Sequence, residues 1–395
     1  LGAPVTVACT QEAPLFRELA EAEAPGIDLA FANIRETAGW TAEAASSGPK
    51  MAGLIAAAGQ APSPFGVVTL ESRGVALILG RDEAALAAAR ELAESLDITV
   101  LLLPGAEVSP PRQTDFPVLQ GRIRIAKGHL GAFELTVDGY AAPSPSSRQV
   151  LAFGPARDGA VSRADLVIDL TGGTALFPAP ETRPGYFRAD PRDPGAVAAV
   201  IRKAAQMVGT FDKPRYIDFV PDLCAHSRNR ITGCTRCLSL CPTGAITPAG
   251  DSVAIDPNIC AGCGQCAAVC PTGAASYALP RAETLVRRLR AGLRAWHAAG
   301  AEGAPVVLFH DTDHGTPLIE ASGRFGRGLP AHVIPFSANE ITQIGPEVIA
   351  AAHAYGASRV ALLARARSAH DMSGLFATLD LMADLGGEPK WCQAT

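Results

Sequence analysis

Eight of the ten cysteines in this 395-residue chain fall between Cys224 and Cys270, and they constrain its folding more than any other feature. Cys260, Cys263, Cys266 and Cys270, followed by Pro271, read C-x2-C-x2-C-x3-C-P without a gap. Cys234, Cys237 and Cys241 with Pro242 repeat the end of that run. Ile231 stands where its first cysteine belongs, and Cys224 lies ten residues before Cys234. Gaps of two and three residues are poor geometry for disulfides and good geometry for wrapping thiolates around metal. Four thiolates suit a 4Fe-4S cubane, one sulfur per iron, and the cysteine before proline ligates the cluster of the other motif. One expected set is therefore Cys260, Cys263, Cys266 and Cys241. The other is Cys234, Cys237 and Cys270, completed by Cys224 if the polar segment AHSRNRITG loops back over the cluster. Two alternatives stay open: zinc, which also uses paired C-x2-C motifs, and a first site left with three ligands. Zinc modules, however, do not set two C-x3-C-P units in tandem.

A chain of this length holds two or three domains. With 48% apolar and 18% charged residues it has the composition of a packed protein. Net charge is −5 and no basic stripe stands out, so nucleic acid is not an expected partner. No apolar run reaches the roughly 18 residues of a spanning helix, so no membrane span is expected. The opening LGAPVTVAC lacks the basic stretch of an export signal, although the start at Leu1 leaves an upstream segment open. Free thiolates that assemble clusters call for a reducing compartment, and the cytoplasm is the expected location. Cys9 and Cys392 stand far from the block and read as buried or idle thiols.

Periodicity divides the rest. VTVAC, LFRELAEAEA, DLAFANI and AEAASSGPKMAGLIAAAG alternate strand and helix. GVALILG, DEAALAAARELAESL and DITVLLL form a βαβ unit. Residues 118–141 read as antiparallel, ADLVIDL as a buried strand and GAVAAVIRKAAQMV as a helix. After the cysteines, ETLVRRLRAGLRAWHAAG is a basic helix, and VVLFHD, AHVIPF, PEVIAAAHAYGA, RVALLAR and LFATLDLMADLG return to α/β. The expected fold is α/β with an inserted α+β bacterial two-cluster ferredoxin-like domain. Residues 1–60 are an N-terminal α/β region, and 61–213 a degenerate dinucleotide-binding-like domain. Residues 214–280 carry the clusters, and 281–395 are a linking helix and a C-terminal α/β domain.

The strand GVALILG precedes a helix where a dinucleotide fingerprint belongs, with Gly80, Asp82 and Ala85 at the glycine positions. Asp82 opposes a pyrophosphate and caps the helix instead. The ribose-binding acid is replaced by Leu103 or Pro104. No flavin is therefore expected. His310, Asp311, Asp313 and His314 in HDTDHG read as a polar loop rather than a metal site, His226 as a solvated loop histidine, and the arginines of 287–294 as a solvated helix face.

CTRCLSLCPTGAI and CGQCAAVCPTGAA match almost residue for residue and resemble the duplicated halves of a bacterial two-cluster ferredoxin. NIRETAGW, AKGHLGAFELTV and ADLVIDLTGG resemble parts of the flavoprotein subunit of heterodisulfide reductase. Residues 331–365 resemble the delta subunit of methyl-viologen-reducing hydrogenase, with Ser337 where that family has a cysteine. The resemblance implies electron transfer as a subunit or dedicated carrier of a larger oxidoreductase, with no catalytic residues of its own. Its partners would be redox proteins such as a subunit of a reductase, hydrogenase or dehydrogenase. The rival readings are a flavin-dependent reductase and a scaffold braced by clusters.

Overall fold

The computed structural model describes residues 4–110, 115–228, 230–366, 371–386 and 392–394. β1 (Val5–Val7) and β2 (Leu29–Phe31) pair in parallel across α1 (Ala13–Glu23). The helical reading of the next stretch holds for its second half. Ala44–Ser46 make one 3-10 turn, and α2 (Gly48–Ala58) starts with Pro49 in its first turn, where a missing N–H is harmless.

β3 (Val67–Ser72) leads into a seven-stranded sheet whose strands run, edge to edge, 186–188, 166–169, 75–80, 97–102, 118–127, 133–141 and 160–164. Its centre is β4 (Val75–Gly80), followed by α3 (Glu83–Leu92) and β5 (Asp97–Leu102). β4 is buried at five of its six positions, as a parallel strand covered on both faces must be. β6 (Val118–Lys127), β7 (Phe133–Ala141) and β8 (Ala160–Ala164) form an antiparallel meander. β9 (Leu166–Asp169) returns beside β4, and β10 (Tyr186–Arg188) closes that edge. α4 (Pro194–Ala204) follows, capped by the Asp193 carboxylate on the Ala196 N–H at 3.0 Å. β11 (Gly209–Pro214) then pairs antiparallel with β3 along its whole length, clasping the two ends of this segment.

The cysteine-bearing segment is clasped in the same way. β12 (Ile217–Phe219) pairs with β17 (Ala275–Tyr277), Ile217 opposite Tyr277. Between them lie a short hairpin, β13 (Ser227–Arg228) with β14 (Ile231–Thr232), then α5 (Arg236–Leu240), the hairpin of β15 (Ile246–Ala249) and β16 (Ser252–Ile255), and α6 (Gln265–Ala268). Ile217, Ile246, Val253, Cys266, Ala275 and Tyr277 form its small core.

α7 (Ala282–Ala298) opens the last α/β unit. β18 (Val306–Asp311), β19 (Val333–Ala338), β20 (Arg359–Leu363) and β21 (Cys392–Ala394) make a parallel sheet of order β19-β18-β20-β21. α8 (Gly315–Phe325), α9 (Pro346–Ala354) and α10 (Ser373–Gly386) cover it. The first sixty residues share this unit's core: Ala57 sits in one cluster with Leu289, Phe309 and Phe336. α2 crosses α7 so closely that a Cβ on Gly53 would lie 2.9 Å from the Gly292 carbonyl oxygen. The Lys50 ammonium is buried and donates to the carbonyls of Leu329 and Pro330 at 3.0 and 2.8 Å. Buried Glu36 takes Arg324 at 3.1 Å. Residues 1–60 and the last α/β unit thus share a core on either side of the two clasped segments in the chain. No helix among the described residues is long and apolar enough to cross a membrane.

Candidate iron–sulfur centres

Cys224 ends a 3-10 turn, its N–H on the Pro221 carbonyl at 2.9 Å. The nine-residue gap to Cys234 is folded up by the β13–β14 hairpin. His226 pins that fold from both sides. Its carbonyl accepts the N–H of Gly233 at 2.8 Å and of Cys234 at 3.3 Å, and its Nδ1 meets the Cys234 carbonyl at 2.9 Å. It is only 6% exposed, which corrects the reading of a solvated loop histidine. An imidazole that closes a turn on the main chain is best shielded from competing water.

Cys237 lies on α5. Burial pushes its thiol up to about 11, and the nearby thiols of Cys234, Cys224 and Cys270 act in the same direction. These are the four cysteines of one expected set. At Cys270 burial also opposes the thiolate, but the Ala275 N–H at 3.5 Å and further donors from Thr272 and Ala274 hold its pKa below the ordinary thiol value.

Cys241, Cys260, Cys263 and Cys266 line one small internal cavity. Cys241 comes from the first motif and the other three from the second. Cys266 is 8% exposed, and burial, with the thiols of Cys263, Cys260 and Cys241 beside it, pushes it well above its ordinary value. Burial likewise raises Cys260, and raises Cys263 to about 11. Thiols that resist ionisation in an empty pocket become thiolates when metal supplies the positive charge.

Each cysteine before proline meets the threonine of its own Pro-Thr-Gly: Cys241 Sγ to Thr243 Oγ1, and Cys270 Sγ to Thr272 Oγ1, both 3.7 Å. Sequence reasoning missed these hydroxyls, although the repeated PTG triplet carried the signal. It also missed the distant groups that brace the second motif. Lys213 donates to the carbonyls of Asn258 and Cys260 at 3.0 and 2.8 Å, while in the first motif Arg183 donates to that of Thr243 at 2.7 Å. The Thr342 hydroxyl reaches the Cys263 carbonyl. Tyr277 gives its hydroxyl proton to the Gly262 carbonyl at 2.6 Å and accepts from Asn339. Gly262 and Gly264 hold φ of +79° and +80°, and a Cβ on either would strike Tyr216 or Gln343 within 2.7 Å.

The donor set fits two clusters. Four thiols surround one cavity, the thiols of Cys234, Cys224 and Cys270 all act on Cys237, and the buried Gln343 side-chain nitrogen has no partner among the described residues. Among the described residues no three His, Cys, Asp or Glu side chains converge as they do on a single ion.

The remaining candidates resolve differently. Asp82 Oδ1 accepts the Ala84 N–H at 3.1 Å, the expected cap. A Cβ on Gly80 would lie 2.2 Å from that of Ala85, so this glycine serves the packing of α3 on β4. A cavity of about 310 Å³ does open at the carboxyl ends of β4 and β5, bordered by Asp169, whose carboxylate is occupied by Tyr186 at 2.6 Å and Thr171. In HDTDHG, His310 and Asp311 are not loop residues but the buried end of β18. Asp311 accepts the N–H groups of His314 and Gly315 at 2.6 and 2.7 Å and pairs with Arg365 at 2.9 Å. Arg287, Arg290 and Arg294 are exposed and Arg288 is half-buried. Ser337 is exposed, Cys9 is partly exposed, and the side chain of Cys392 lies outside the described residues.

Residues 203–274 match the family described as a 4Fe-4S dicluster domain. No curated protein matches the chain.

Proposed function

We propose that this chain carries single electrons through two 4Fe-4S clusters as a subunit or dedicated carrier of a larger oxidoreductase. The observation that carries the reading is the cavity lined by Cys241 together with Cys260, Cys263 and Cys266, within a segment that matches a dicluster domain. Cys224, Cys234, Cys237 and Cys270 hold the other cluster, supported by the effect of the other three thiols on Cys237. When bound, such clusters supply one-electron steps. The chain's own residues orient the sulfurs and set their environment. The Ala275 N–H and the Thr243 and Thr272 hydroxyls face sulfur and favour the more negative, reduced state. Burial of Cys266 keeps water from one cluster. The likeness of the flanking stretches to parts of heterodisulfide reductase and to a hydrogenase delta subunit supports a place in such a complex, in the cytoplasm.

The cavity bordered by Asp169 at the carboxyl ends of β4 and β5 favours a second reading, a flavin-dependent reductase. Asp82 and the packed Gly80 argue against it. Anaerobically purified protein should hold about eight irons per chain, be reduced by dithionite and oxidise no NAD(P)H with artificial acceptors. Zinc in place of iron would overturn the cluster reading. Stoichiometric flavin released on denaturation would promote the flavoenzyme.

A further inference from the structure

The two centres differ in what surrounds them. The loop from Ala261 to Ala268 that carries Cys263 and Cys266 is buried or half-buried throughout, under Tyr216, Thr342 and Gln343. The other centre opens to solvent. Residues 220–223, 230–233 and 271–273 are all exposed around Cys224, Cys234 and Cys270. Three of them are large and apolar: Val220 at 48%, Leu223 at 51% and Ile231 at 72% exposure. Arg228, Arg230 and Arg236 stand exposed on the hairpin and on α5, and none forms an ion pair among the described residues.

Residues 220–240 thus carry three arginines against one acid, Asp222, and are net positive on a chain of net charge −5. Arg230 holds φ at +64°, a left-handed turn position where glycine or asparagine is the low-strain choice. Exposed apolar side chains on a segment that also carries unpaired guanidinium groups are how a surface attracts and orients a protein of opposite charge.

We propose that this rim around Cys224 and Cys234 is the docking face for an acidic one-electron carrier protein, so that electrons cross at the cluster of Cys224, Cys234, Cys237 and Cys270. The inference rests on the electron-transfer reading above. One electron passes from the reduced carrier to the oxidised cluster, or back, with no bond made and no proton required.

The test uses the full chain with both clusters, and a reduced, acidic two-iron ferredoxin as probe in stopped flow. The wild-type second-order rate should fall about tenfold or more as salt rises from about 20 mM to about 500 mM, where screening reaches inside contact distance. Arg228→Glu/Arg230→Glu/Arg236→Glu should be slower by about tenfold or more at low salt and converge with wild type at high salt. Its iron content and dithionite reduction should stay unchanged. Ile231→Asp, which alters no arginine, should slow the reaction at both salt concentrations. Equal rates and equal salt slopes for the iron-replete triple variant and wild type would overturn the docking face. Clusters that dithionite cannot reduce in wild type would instead overturn the electron-transfer reading beneath it. Should the triple variant lose iron, the wild-type salt slope and Ile231→Asp decide the matter by themselves.

Discussion

Cys241 sits in one motif and lines the cavity of the other. Residues that share a cluster should behave as one unit, because losing either ligand damages the same cube. Cys241→Ala combined with Cys260→Ala should therefore lose little more iron than either alone, whereas Cys241→Ala with Cys234→Ala should lose the iron of both sites. Cys224→Ala should leave one intact cluster and a labile or three-iron neighbour. Iron analysis and electron paramagnetic resonance of the reduced proteins read all of these. The reverse pattern, with Cys241 additive to Cys260 and not to Cys234, would mean that each motif closes its own cluster. The ligand candidates and the Asp82 cap were legible because their signals are local: fixed gaps between thiols, and a carboxylate just before a helix. The burial of His226 was not. Nothing in AHSRN shows that its ring closes onto the Cys234 carbonyl eight residues away.

Among the elements, the α2–α7 crossing depends on two glycines that face each other. The Gly53 Cβ position lies 2.9 Å from the Gly292 carbonyl oxygen, and main chain cannot swing aside as a side-chain tip can. Gly53→Val should force the helices apart at about 1–3 kcal/mol, the ordinary cost of overpacking, and lower the melting temperature by several degrees. Gly48→Ala, on the same helix but with nothing within 4 Å of its added methyl, is the control and should be neutral or stabilising. Calorimetry on the pair checks this. Equal melting temperatures would mean that the two helices are not in close contact in solution. Periodicity found most helices and the central strands, since each buries one face within a few residues. It missed α8, whose start is disguised by the polar HDTDHG, and the pairing of β3 with β11. That clasp joins residues more than a hundred positions apart, and no local pattern encodes a partner at that range.

For the molecule as a whole, sequence reading set residues 1–60 apart, while the structure places Ala57 in the core built by α7, β18 and β19. Lys50, Glu36 and Gly53 each find their counterparts more than two hundred residues away, which is why this union was invisible in the chain. It also imposes an order on manufacture. A ribosome releases the cysteine loops before it has made Thr342, Gln343 and Asp371, the residues that later lie across the Cys263–Cys266 loop. Iron that reaches the loops in that interval meets none of this cover. Apo-protein allowed to finish folding should then load its Cys224-side cluster quickly and its Cys266-side cluster slowly. Mild denaturant should speed only the slow phase. Iron uptake followed in time would show two phases in the full chain; a single rate would mean that the lid opens freely. A cell making this protein faster than it can supply iron would therefore accumulate chains sealed half-loaded, a defect of timing rather than of sequence.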